Sequence, residues 1–149
     1  MSVLPQKLSL VTLGVADVAA SRRFYEGLGF RAAGVDDEGV AFFDLNGVVL
    51  ALFGRGGLAE DANAPLESGE GFSRMSLAIN LESEAAVDAA MAFAAEQGGR
   101  ITQPARKVFW GGYAGYFADP DGFLWEIAYN PFWPLDELGR PQLPPPNAT

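Results

Sequence analysis

Residues 10–53 and 74–128 carry one pattern twice, which restricts the chain to architectures assembled from two like modules. The first copy runs LVTLGV (10–15), DVAASRRFYEGLG (17–29) and FFDLNGVVLALF (42–53). The second runs RMSLAI (74–79), SEAAVDAAMAFAAEQGG (83–99) and YFADPDGFLWEIA (116–128). The opening segments superpose at an offset of 64, pairing Leu10 with Arg74, and the closing segments at 75 through Gly47 and Gly122, which sets Ala51 against Glu126.

Each copy reads as βαβββ, so the expected class is α+β. Asp17 and Ser83 stand where helix N-caps are wanted, and Gly29 and Gly98 where a left-handed C-cap is wanted. DLNG (44–47) and DPDG (119–122) interrupt apolar alternation as hairpin turns do. The expected organisation is one domain over 1–149: module one at about 7–54, a linker at 55–72, module two at about 73–130 and a Pro-rich tail at 131–149. The Gly-rich, acidic linker reads as a mobile connector or a functional flap. In the tail, Phe132 and Trp133 suggest that its front half packs down.

Alternation within the strands separates two faces. Val11, Leu13 and Val15, with Val48, Leu50 and Leu52, are bulky and apolar, as are Leu77 and Ile79 with Trp125, Ile127 and Tyr129. These are the faces that pack on helices. The opposite faces carry Leu10, Thr12 and Gly14, then Val49, Ala51 and Phe53, then Arg74, Ser76, Ala78 and Asn80, and then Leu124, Glu126 and Ala128. Such small, partly polar residues leave room for a ligand, so two half-barrel sheets around a concave cavity are expected. Counting DPDG as a four-residue loop sets Gly115 opposite Glu126 and puts Tyr113 and Phe117 on the cavity face.

Composition narrows the partners. A chain of 149 residues that is 49% hydrophobic can bury a real core. Its net charge of −9 argues against nucleic acid and anionic membrane, and no segment approaches the length of a membrane span. Pro5, Gln6 and Lys7 break up the opening segment, no signal peptide is expected, and the absence of cysteine suits a reducing cytoplasm.

The doubled βαβββ, the LGVADVAASRRFYEGLGF stretch and the DPDGFLWEIAYNP ending resemble the vicinal oxygen chelate superfamily over about residues 7–130. That superfamily includes glyoxalase I, extradiol dioxygenases, fosfomycin-resistance enzymes and bleomycin-binding resistance proteins. The resemblance implies paired half-barrels and, in metal-dependent members, ligands on the first and last strands of each module. Carried to this chain, those slots are Leu10, Ala51, Arg74 and Glu126, and Glu126 alone keeps a ligand residue. The chain has no His at all, so no metal site and no cofactor are expected.

Arg74 and Glu126 are then expected on one cavity floor, either as an ion pair filling the vacated metal slot or as ligand anchor and general base. Trp110, beside Gly111 and Gly112, reads either as a lid over a bound ring or as core filler. Ser76, Phe53, Tyr113 and Phe117 complete the expected ligand-binding set. Two functions remain open: a metal-independent protein binding an apolar or aromatic small molecule, or a metal-free isomerase or lyase using Glu126 on a substrate oriented by Arg74. Half-barrel edges that want cover imply a homodimer.

Overall fold

The structure, a computed structural model, describes residues 3–4, 6–35, 37–67 and 70–146. It forms two compact units, Met1–Gly69 and Glu70–Thr149, and has the α+β architecture of two sheet-and-helix modules. Among the described residues no helix is long and apolar enough to cross a membrane.

The first unit contains β1 (Leu10–Val15), α1 (Val18–Gly27), β2 (Val40–Leu45), β3 (Val48–Gly54) and α2 (Arg55–Asp61), with strand order β1-β3-β2. Parallel pairing of β1 with β3 needs a crossover, which α1 supplies. Asp17 starts that helix by accepting from the Ala20 N–H at 3.0 Å. The helix lays Phe24 and Tyr25 on the bulky face of the sheet, where Tyr25, Phe43, Leu13, Leu50 and Leu52 are buried. β2 and β3 meet through Asn46 and Gly47, both at positive φ, as a two-residue type I′ hairpin requires. The further strand expected after α1 is reduced to a single bridge between Ala32 and Phe43.

The expected linker begins as a helix. Leu58, Ala59 and Glu60 favour helix strongly enough to carry Gly56 and Gly57 within α2. That helix takes the space beside Gly14, where an added Cβ would lie 3.1 Å from the Arg55 Cα and 3.2 Å from the Leu58 side chain. Phe53 likewise sets its ring against Gly57, at 2.7 Å from where a Cβ would be. Around Gly14 and Phe53, therefore, small residues make room for α2.

The second unit contains β4 (Ser76–Asn80), α3 (Glu84–Glu96), β5 (Arg100–Lys107), β6 (Tyr113–Ala118) and β7 (Leu124–Tyr129), with strand order β4-β7-β6-β5. Ser83 caps α3 by accepting from the Ala86 N–H at 3.0 Å, and Val87, Met91 and Ala94 are buried on that helix. Pro104 and two register shifts in β5 make it a poor template for a further strand, as suits the edge of the sheet.

The two sheets also fix the true offset of the repeat. Ala51 pairs with Thr12, while Glu126 pairs with Ala78. If Ala51 and Glu126 are equivalent, so are Thr12 and Ala78, at an offset of 66. The N-caps Asp17 and Ser83 stand the same 66 apart. The opening strands therefore align two residues away from the expected register, and Ser76 rather than Arg74 corresponds to Leu10.

Candidate functional site

Glu126 sits in the middle of β7 and reaches the sheet face opposite α3. Parallel pairing sets it beside Ala78 on one side, and antiparallel pairing sets it opposite Tyr116 on the other. The Tyr116 hydroxyl donates to Glu126 Oε2 at 2.9 Å. Burial and then this hydrogen bond raise the Tyr116 pKa above its ordinary value, against a smaller opposing effect of the Arg106 guanidinium. Tyr116 thus remains a protonated donor at neutral pH and holds one carboxylate oxygen in place.

An open cavity of about 410 Å³ lies over this face, with Glu126, Ala128 and Asn80 on the strands and Asn130 just beyond β7. Trp110, Phe132 and Trp133 form its aromatic walls. Trp110 belongs to the tight β5–β6 connection, closed by bonds from the Val108 N–H to the Gly112 carbonyl and from the Gly111 N–H to the Val108 carbonyl, both 3.0 Å. Gly112 leaves the space across which the indole lies, since an added Cβ would overlap the Trp110 ring. Gly111 has φ +95°, and a Cβ there would come within 2.9 Å of Phe132. Asn130 accepts from the Phe132 N–H at 2.9 Å, which turns the chain back after β7. Two glycines and one asparagine thereby place the three rings.

Arg74 stands ahead of β4 with φ +64°, exposed and outside the cavity lining. Ser76 opens β4 on the face of Glu126, paired with Leu124 and next along that face from Ala78. The facing expected for Tyr113 and Phe117 is corrected, because Asp119 joins the ladder through its N–H to the Phe123 carbonyl at 2.9 Å. The loop is then three residues long, not four, and a one-residue change turns every side chain of β6 over. Phe117 instead stacks on Trp125 on the helix side, with ring centroids 6.5 Å apart. Tyr113 donates to Asp88 of α3 at 2.7 Å, and that bond chiefly raises its pKa. Asn80 lines the cavity from the face on which alternation sets it, whereas Tyr116, Asn130, Phe132 and Trp133 are site residues that alternation and the repeat do not reach. The positions of Phe132 and Trp133, directly after the last strand, were the available signal.

Two sheet-and-helix modules, one carrying a carboxylate in an aromatic-walled concavity, define a glyoxalase-type fold. The chain belongs to the Glyoxalase/Bleomycin resistance protein/Dioxygenase superfamily, whose family model matches residues 7–127. It is similar to a glyoxalase-related enzyme from Fulvimarina pelagi, at 38% identity and TM-score 0.83, over 93% of this chain and 99% of that one. A glyoxalase/bleomycin resistance protein/dioxygenase from Nocardioides follows at 27% identity and TM-score 0.72, covering 86% and 85% of the two chains. Lactoylglutathione lyase from Agrobacterium tumefaciens shares the fold at 18% identity and TM-score 0.64, covering 85% and 95%. No curated protein matched the chain.

Proposed function

We propose that the protein binds a small apolar or aromatic molecule without a metal, in the cavity of the second unit. The observation that carries this reading is the convergence of Trp110, Phe132 and Trp133 on a cavity whose carboxylate is held by Tyr116. Metal independence is supported by the donor set. The superfamily's ligand slots hold Leu10 and Ala51 in the first unit and Ser76 and Glu126 in the second. An isobutyl group, a methyl, a neutral hydroxyl and one carboxylate do not fit a divalent cation, which needs several imidazole or carboxylate ligands to replace its water.

The second reading, a metal-free isomerase or lyase with Glu126 as general base, is favoured by the lone pairs left on Oε1 once Tyr116 has engaged Oε2. Kinship with the Fulvimarina pelagi glyoxalase-related enzyme supports it as well. Arg74 does not line the cavity, so this reading lacks its expected substrate-orienting cation. One carboxylate without a second acid or base is thin equipment for turnover, and binding is the better-supported function. We place the protein in the cytoplasm as a homodimer.

Titration with benzamide, followed by tryptophan emission, tests the binding reading. Trp110→Ala should weaken binding by about 1–3 kcal/mol if the ring stacks on the indole. Unchanged affinity with a large loss of thermal stability would instead make Trp110 a packing residue.

A further inference from the structure

We infer that the cavity selects small organic cations with a planar aromatic body and an N–H donor, an inference that rests on the binding reading above. Its lining is chemically one-sided. Among the described residues that line it Glu126 is the sole charged side chain, while Arg74 and Arg106 lie outside the lining. Aromatic rings attract cations, and Trp110, Phe132 and Trp133 line this cavity together with a carboxylate that adds a charge-assisted hydrogen bond.

The polar geometry sharpens the choice. Glu126 Oε2 is taken by the Tyr116 hydroxyl, leaving Oε1 as an acceptor for the ligand. Asn130 spends its Oδ1 on the Phe132 N–H, and Asn80, across the β4–β7 pair from Ala128, brings a side-chain amide with an acceptor oxygen. An anionic ligand would meet Glu126 with no lining cation to offset it. A neutral ring would gain the aromatic contacts but leave the carboxylate's charge unused. A planar cation such as an amidinium satisfies both, and the net charge of −9 draws it toward the protein.

Three near-isosteric probes separate the possibilities: benzamidine (cationic at neutral pH), benzamide (neutral) and benzoate (anionic), each titrated calorimetrically against the full chain. Benzamidine should bind at least about tenfold tighter than benzamide, with benzoate weakest. Glu126→Gln should remove most of the advantage of benzamidine over benzamide, the rings keeping the remainder. Trp110→Ala should weaken both and benzamidine the more, while Glu126 keeps benzamidine the tighter binder, which gives a second readout if Glu126→Gln misfolds. Benzamide binding as tightly as benzamidine, or benzoate binding best, would overturn the charge selection while leaving the binding reading intact. Failure of all three probes to bind would overturn both.

Discussion

The hydroxyl of Tyr116 donates to Glu126 Oε2 at 2.9 Å across the β6–β7 pair, and this contact holds the cavity's Glu126 carboxylate in place. Tyr116→Phe removes the donor and should cost about 0.5–1.5 kcal/mol, measured by urea denaturation. It should also weaken benzamidine binding, because Glu126 loses the partner that holds it.

The raised pKa of Tyr116 and Tyr113 sets an alkaline limit on stability. Between their ordinary pKa of 10.0 and the higher folded values, the folded state retains protons that the unfolded chain releases. Their contribution is thus complete below about pH 10 and is lost as pH rises through the folded values. Stability measured from pH 8 to 11 should fall above about pH 10, and Tyr116→Phe with Tyr113→Phe should flatten that fall.

Asp119 is buried in the β6–β7 turn and accepts from the N–H groups of Asp121 at 2.9 Å and Phe123 at 2.8 Å. Asp119→Ala should cost on the order of 2–3 kcal/mol by leaving those donors unmet and loosening the register that sets Tyr116 opposite Glu126. Chemical denaturation reads the cost. A change under about 0.5 kcal/mol would show that the hairpin does not depend on this residue.

Gly112→Ala places a methyl where the Trp110 indole lies. It should cost about 1–3 kcal/mol and shift tryptophan emission as the ring is displaced. Binding of benzamide should weaken in parallel.

Arg74 and Glu126 should behave independently, since Arg74 precedes β4 and lies outside the cavity lining. Arg74→Met should change stability by less than about 0.5 kcal/mol, and a double-mutant cycle with Glu126→Gln should give a coupling near zero. Coupling above about 1 kcal/mol would restore the ion pair expected from the sequence.

The repeat, both helix caps, the hairpins and the sorting of bulky from small residues were legible in the sequence because each rests on local chemistry. Register was not. A two-residue slip between LVTLGV and RMSLAI leaves the alternation intact, so hydrophobic pattern alone could not distinguish an offset of 64 from 66. The spacing of the caps Asp17 and Ser83 held that information. Asp119 has the chemistry of a turn residue, yet it pairs in the ladder, and that one-residue difference in the β6–β7 loop puts Tyr116, not Tyr113 or Phe117, on the face of Glu126. α2 was hidden by Gly56 and Gly57, which local propensity counts against a helix.

Native mass spectrometry of freshly purified protein, paired with elemental analysis, tests the central claim most directly. The account predicts a small molecule that is released on denaturation, and transition metal well below one equivalent per 15.8 kDa chain. About one Zn, Ni, Fe or Mn per chain retained after mild chelation, with no small molecule bound, would contradict it.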